Sequence, residues 1–423
     1  MFEIRTLSLY RVTMITVTVV TVTRIIDIDN LRKIKPPILF YGRRKTGKTF
    51  LVKNFYKNAE YFFVKRNRTI FWENKKTTLN YEELTKIIDI LLKDKLVIID
   101  EFHRLPEDFL DYLHFKQPSN IILITSTLHL VKSLLTKKSP ILGLFLEYRV
   151  DLIDERDILA NLSKLFSGKE LIEKSVFLRE PILLQWAELD LVDVLEKLKL
   201  TVPALVGEIF IEEERELSER YEGILRAVAS GKQTISEITN YLYARKLISR
   251  QSPSLVKSYV KNLLSIGLLK RYKEYKREKY YYFVDSPIVD LYFYLDEKYN
   301  FSETKLSREY FLEKIPFYVE DFFRNLFAKL TEYRIFVMRK PELEVDAILG
   351  KFQQAKVVIE VKWRKGLSRS EVVKIEEKLS KFKGVKKVLI VPDKSEVEYT
   401  PAKIEVMDIN DILEEILKYY SGH

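Results

Sequence analysis

Eight residues constrain this chain more than any others: Gly42-Arg43-Arg44-Lys45-Thr46-Gly47-Lys48-Thr49, set between a short apolar run at 37–41 (PILFY) and a stretch, FLVKNFYKN, with helical apolar spacing. The order is strand, G-x-x-x-x-G-K-T, helix. The two glycines let the backbone curl, so that its N–H groups converge at a helix N-terminus, where partial positive charge favours an anion. Lys48 would then reach the β- and γ-phosphates of a nucleoside triphosphate, and Thr49 would offer its hydroxyl to Mg²⁺. ATP and Mg²⁺ are the expected cofactors, with Gly42, Arg43, Arg44, Lys45, Thr46, Gly47, Lys48 and Thr49 as nucleotide contacts. The bland alternative, a basic surface turn, fits the flanking strand and helix poorly.

A second stretch completes this site. Leu96-Val97-Ile98-Ile99 is an apolar run followed by Asp100-Glu101, the pattern of a buried parallel strand with two carboxylates at its C-terminal end. Ligands in open α/β sheets bind at that edge. Asp100 is the expected Mg²⁺ residue, and Glu101 the group that orients or deprotonates an attacking water. A third apolar strand, 120–124, ends in Thr125-Ser126-Thr127. Thr127 either senses the γ-phosphate or caps a helix. His103 reads as a loop or core residue.

The runs YGRRKTGKTFL, VIIDEFHRL and ILITSTLHLV resemble the AAA-like ATPase family abundant in archaea, near the STAND class of regulatory NTPases. The likeness runs over nearly the whole chain, with departures. Ser126-Thr127-Leu128 stands where the family shows Gly-Ser-Ser. Pro140-Ile141-Leu142-Gly143-Leu144 lacks that family's arginine, for which Arg149 is the nearby substitute. Leu178-Arg179-Glu180-Pro181 stands for the Gly-Gly-x-Pro of the lid.

Residues 155–215 read as short amphipathic helices, suited to a lid over the nucleotide. From 218 to 285 the pattern is three helices and two basic, Tyr-rich strands, with Thr234 and Glu237 as a capping box. That is the order of a winged helix-turn-helix. Lys257, Lys261, Lys270, Arg271, Lys273, Lys276 and Arg277 are the expected phosphate contacts if it binds DNA. A protein-contact module with a solvated basic face is the other reading.

The last hundred residues have the order α-β-β-β-α-β of a restriction-endonuclease core. Asp346, then Glu360-Val361-Lys362, makes D-x₁₃-E-x-K and resembles the PD-(D/E)xK nuclease superfamily, although Pro341 lies five residues before Asp346. Glu360 and Lys362, two apart on a strand, share one face. Asp346 and Glu360 are the expected metal ligands, Glu320 a further one from the preceding helix, and Lys362 the cation that positions water or neutralises phosphate. Asp346, Glu360 and Lys362 join Glu101 as candidate catalytic residues. The flanking hydrophobic residues bury these charges, which then need compensation. A retained fold with surface charges is the alternative.

Composition bounds the rest. The 423 residues suit two to four domains, 72 Lys and Arg against 61 Asp and Glu give a net charge of +11, and there is no cysteine. The charge favours polyanionic partners and makes DNA the expected one. Without cysteine, disulfides and thiolate metal sites are excluded, and a cytoplasmic setting is the default. Residues 12–23 are β-branched, read as a strand, and are too few to cross a bilayer; Met14 is an alternative start. The expected fold class is α/β. It comprises an N-terminal extension (1–34), a P-loop ATPase core with a parallel sheet (35–153), a helical lid (154–216), a winged helix (217–290), a linker (291–315) and a restriction-endonuclease-like domain (316–423). The expectation is an ATP-hydrolysing DNA-processing or defence protein with a Mg²⁺-dependent nuclease module, open to homo-oligomerisation. The alternative is an ATP-switched DNA organiser or STAND-type scaffold with an inactive nuclease fold.

Overall fold

The computed structural model describes residues 20–128, 131, 134, 139–212, 218–340 and 343–421. Residues 12–19 of the Thr-rich run, Met14 included, and Pro341 lie outside them. The remainder of that run, 20–23, is not a strand. It packs beside the lid, where Val22 is buried and the Thr23 N–H donates to Asn161 Oδ1 at 3.1 Å.

Short runs, mostly apolar in the central strands, make the first sheet. Its strands are β1 (Ile38–Tyr41), β2 (Glu60–Val64), β3 (Ile70–Trp72), β4 (Thr77–Leu79), β5 (Val97–Asp100), β6 (Ile121–Thr125) and β7 (Leu146–Arg149), in the order β4-β3-β2-β5-β6-β1-β7. The five strands β2, β5, β6, β1 and β7 are parallel, and every residue of β5 and β6 is buried. Alternate side chains feed two cores. Leu39, Ile99 and Leu123 meet Phe109 and Leu113 on one face, while Ile38, Phe40, Ile98 and Ile122 meet Leu51 and Val52 on the other. Since β6 lies between β1 and β5, the ends of all three converge at one edge.

Helices Glu155–Leu162, Gly168–Leu178, Leu191–Lys197 and Thr201–Glu212 follow. Three more, Glu219–Ala229, Ile235–Ala244 and Pro253–Ser265, lead into a hairpin of β8 (Leu269–Glu274) and β9 (Tyr280–Val284). The Thr234–Glu237 capping box is present. The span read as a linker, 291–315, is largely helical. Helix Pro287–Tyr299 buries Ile288, Val289, Leu291, Phe293 and Leu295 because its apolar face completes the core of the three helices.

Helix Ile315–Thr331 opens the last module, followed by β10 (Arg334–Lys340), β11 (Leu343–Lys351), β12 (Gln354–Val361), helix Arg369–Ser380, β13 (Lys386–Ile390), β14 (Glu405–Met407) and helix Ile409–Ser421. The second sheet runs β14-β13-β12-β11-β10-β8-β9. Its β10 pairs in parallel with β8, Phe336 opposite Lys273 and Val337 opposite Glu274. The hairpin is thereby the edge of the C-terminal sheet. Ala347, Leu349, Ile359 and Val361 share a core with helix Ile315–Thr331, and Ile348, Val358 and Leu389 share the opposite one with helix Arg369–Ser380.

Candidate functional site

The loop after β1 is shaped by its glycines. Gly42 has φ +156°, and a Cβ there would lie 2.1 Å from the carbonyl oxygen of Val150. Gly47, at φ +86°, caps helix Lys48–Phe55. The buried Lys48 ammonium donates to the carbonyls of Gly42 (2.8 Å) and Arg43 (2.9 Å), which holds it over the loop. Thr49 Oγ1 and the Tyr61 hydroxyl both donate to Asp100 Oδ2, at 2.6 and 2.7 Å. Asp100 Oδ1 is buried and has no hydrogen-bond partner in the described structure. Burial pushes the Asp100 carboxyl upward, against the two hydroxyls that favour its charge. An unsatisfied carboxylate oxygen beside a threonine hydroxyl fits a divalent cation.

Glu101 sits at φ +56° just past β5. Ser126 Oγ donates to Glu101 Oε2 at 3.0 Å, and His103 Nδ1 lies 3.3 Å from the same oxygen and 3.0 Å from Thr125 Oγ1. His103 lies in the short 3₁₀ turn Phe102–Arg104 after β5, as its reading as a loop residue has it, and there it touches the Glu101 carboxylate. Ser126 was not singled out in the sequence. The Thr127 N–H turns back to Thr125 Oγ1 at 3.1 Å, a local turn bond.

The arginines of the loop are paired with carboxylates. Arg43 is buried and its Nη2 donates to Glu180 Oε1 at 2.6 Å, tying the loop to the lid. Arg44 pairs with Glu208 at 3.0 Å, while Lys45 is exposed. Arg24, not singled out in the sequence, donates to the Thr46 carbonyl (2.7 Å) and the Asp151 carbonyl (2.9 Å). Beside Gly47 lies an apolar cavity of about 270 Å³, lined by Val22, Phe50, Ile153, Pro181, Ile182 and Leu184 among others. Arg149 is half-exposed and paired with Asp151 at 2.7 Å.

The second cluster is at the far end of β12. The register sets Ala347 opposite Ile359, hence Asp346 opposite Glu360, and the Val361 N–H donates to Asp346 Oδ2 at 2.7 Å. Glu360 is 2% exposed. Its Oε1 receives Lys362 at 2.6 Å and Lys378, from helix Arg369–Ser380, at 2.5 Å, while Oε2 is buried without a hydrogen-bond partner. Lys378 was invisible to sequence reasoning because helix packing alone brings it here. Burial, then Glu360, pushes Asp346 upward; burial lowers Lys362, but Glu360, Asp346 and Glu320 together raise it. Glu320 comes from helix Ile315–Thr331, on the opposite face of the sheet. Burial, then Asp346, pushes its carboxyl up to about 8. Among the described residues no three His, Asp or Glu side chains are gathered closely enough to hold a metal. Asp346 and Glu360 form a facing pair, and Glu320 lies near enough to Asp346 for the two carboxylates to repel.

The expected phosphate contacts divide. Lys257 and Lys261 are exposed on helix Pro253–Ser265, as are Arg271 and Lys276 in the hairpin. Lys270 is not available to a phosphate, because it is held by Asp321 at 2.7 Å in the junction with helix Ile315–Thr331. Lys273 pairs with Glu278 at 2.5 Å and Arg277 with Glu274 at 3.4 Å.

Residues 35–141 match the family model described as AAA domain. This segment is similar to AAA domains. An uncharacterized protein of Methanocaldococcus jannaschii is 25% identical over 287 residues, covering 60% of this chain and 63% of the relative, so the chain spans less than two-thirds of it. Similar solved structures include the Aeropyrum pernix ORC2 protein in its ADPNP–ADP complexes (12% identity, 67% of this chain and 88% of that one, TM-score 0.37). Another is the Aeropyrum pernix ORC1 protein in complex with DNA (14%, 68% and 95%, TM-score 0.31). A third is a Pyrococcus horikoshii STAND protein with a tetratricopeptide repeat sensor (15%, 73% and 46%, TM-score 0.30).

Proposed function

We propose that the chain binds and hydrolyses ATP at the β1–β5–β6 edge and acts on DNA, with a nuclease-like C-terminal module. The observation that carries the ATPase part is the convergence of Lys48, Thr49 and Asp100, with one Asp100 oxygen left buried and unsatisfied. Thr49 and Asp100 would hold Mg²⁺, which neutralises the triphosphate charge. The loop amides and Lys48 bind the phosphates, and the apolar cavity at Gly47 receives the flat base. Glu101 takes the proton of the water that attacks the γ-phosphorus as the bond to ADP breaks. Ser126 and His103 orient that carboxylate.

The DNA part rests on the net charge of +11 and on three helices with a hairpin, read as a winged helix with Lys257, Lys261, Arg271 and Lys276 outward. The nuclease part rests on Asp346 and Glu360 facing each other beside Lys362. Their fit to a metal is partial: an unpartnered Glu360 oxygen and the Asp346 carboxylate offer a two-ligand site, with the Glu320 carboxyl, raised by Asp346, as a neighbour. The second reading, an ATP-switched DNA organiser with a silent nuclease fold, is favoured by one observation: two lysines already occupy the other Glu360 oxygen. Among the described residues no helix is long and apolar enough to cross a membrane.

Nucleotide titration and incubation with labelled DNA and Mg²⁺ or Mn²⁺ separate these readings. Lys48→Ala is expected to weaken ATP binding by about two orders of magnitude, some 2.7 kcal/mol. Unchanged affinity removes the ATPase site as described. Metal-dependent cleavage lost in Asp346→Ala supports the nuclease; wild-type protein that binds DNA and never cuts it supports the organiser.

A further inference from the structure

The hairpin joining β11 to β12 turns on Phe352 and Gln353, with φ +48° and +63°. A two-residue turn with both residues left-handed is normally made by Asn-Gly, which fits the strand twist without a Cβ penalty. Here it is made by a phenylalanine that is 96% exposed. A bulky residue in that conformation, with nothing packed on its ring, is neither a folding device nor a core residue.

The ground around it is basic. Lys351 closes β11 over the Tyr333 ring, Lys356 lies on β12, and Arg334 stands opposite Gly350. The register of β12 with β13, Val357 beside Lys386, brings the start of β13 to the same end of the sheet. With it come Lys383, Lys386 and Lys387. Lys386 pairs with Glu405 at 2.7 Å; Lys351, Lys356, Lys383 and Lys387 make no ion pair among the described residues. Glu332 is a second carboxylate at this end. Six strand rises of about 3.3 Å separate Phe352 from Asp346, roughly 20 Å along one pair of strands.

We propose that this sheet end is a DNA-binding surface, in which the lysines track the phosphates and the Phe352 ring stacks on an unpaired base. The chemistry matches single-stranded DNA recognition: every base has a π-face, and stacking on an aromatic side chain is sequence-tolerant. The surface is separate from the one on helix Pro253–Ser265, and it rests on the reading of DNA as the partner. A strand held here runs towards Asp346 and Glu360 at the other end of β12.

The test is fluorescence anisotropy of the full-length protein with a labelled duplex carrying a single-stranded overhang, without divalent metal, across a salt series. Three variants are compared: Phe352→Ala, the triple Lys356→Gln/Lys383→Gln/Lys387→Gln, and the control Lys257→Gln/Lys261→Gln. Phe352→Ala should weaken overhang binding about tenfold and leave blunt duplex unchanged. The triple variant should flatten the dependence of log affinity on log salt by about two units, since each lost phosphate contact removes roughly 0.7–0.9. Wild-type affinity in both hairpin variants, with loss only in the helix variant, overturns this surface and leaves DNA as the partner. Wild-type protein that binds no DNA at any salt removes the partner itself, and the surface with it.

Discussion

At the scale of single residues, the candidate nucleotide site combines satisfied and unsatisfied groups. Lys48 rests on two loop carbonyls, whereas one oxygen of Asp100 has two hydroxyl donors and the other none. The first arrangement keeps the loop closed, and the second leaves a place for a cation. The loop conformation depends on Gly42, whose backbone passes against the Val150 carbonyl. Gly42→Ala therefore forces the backbone apart, and we expect a loss of about 3 kcal/mol in denaturant unfolding together with weaker ATP binding. Unchanged stability would mean that the chain just past β7 yields freely at Val150. The glycines and Lys48 were legible because they act through nearby backbone, and Asp100 because it ends a buried apolar strand. Tyr61, Arg24 and Glu180 were not, since their roles depend on chain folding. Arg43 and Glu180 lie 137 residues apart and only the docked lid brings them together.

At the scale of elements, hydrophobic periodicity marked the strands and helices, while their partners came from edge pairing that periodicity does not encode. The hairpin β8–β9 reads as a free basic wing; its pairing with β10 turns Lys270 inward to Asp321. The C-terminal helix shows the same thing. Tyr420, from helix Ile409–Ser421, donates to Asp157 Oδ1 at 2.6 Å, and the Ile26 N–H approaches that carboxylate at 3.3 Å. Burial, with Asp154 and Asp27 nearby, outweighs these donors and pushes Asp157 up to about 7. The folded chain then holds a proton there that the unfolded chain releases near pH 4. Between about pH 4 and 7 the folded state binds more protons, so this contribution to stability is complete at low pH and is lost as pH rises through 7. Asp157→Asn should remove a slope on the order of 3 kcal/mol across that window in denaturation midpoints. A variant with the wild-type slope would assign it to another carboxyl.

At the scale of the molecule, one helix touches both candidate sites. Gly168–Leu178 ends beside Glu180, which binds Arg43 of the phosphate loop. On the same helix Glu173 accepts from the Trp363 indole at 3.0 Å, although the two are 190 residues apart. Trp363 follows Lys362 directly and packs on Phe323. The five helical steps from Glu173 to Leu178 at 1.5 Å span about 7.5 Å, and Glu180 follows two residues beyond the helix end. A nucleotide that draws Arg43 towards its phosphates must weaken the Arg43–Glu180 pair, and the helix then moves against Trp363. A hydrogen bond to a charged acceptor contributes about 1.5–3 kcal/mol, which caps coupling through it at about 10- to 150-fold. Hydrogen–deuterium exchange at the C-terminal end of β12 should change when ATP binds the wild-type protein. In Trp363→Phe, which keeps the ring contact and loses the indole donor, that response should fall about tenfold with ATP affinity unchanged. Full response in the variant would place the connection in helix Ile315–Thr331 instead, whose Lys329 holds Asp154 at 3.0 Å while Arg324 donates to the Asp346 carbonyl at 2.8 Å.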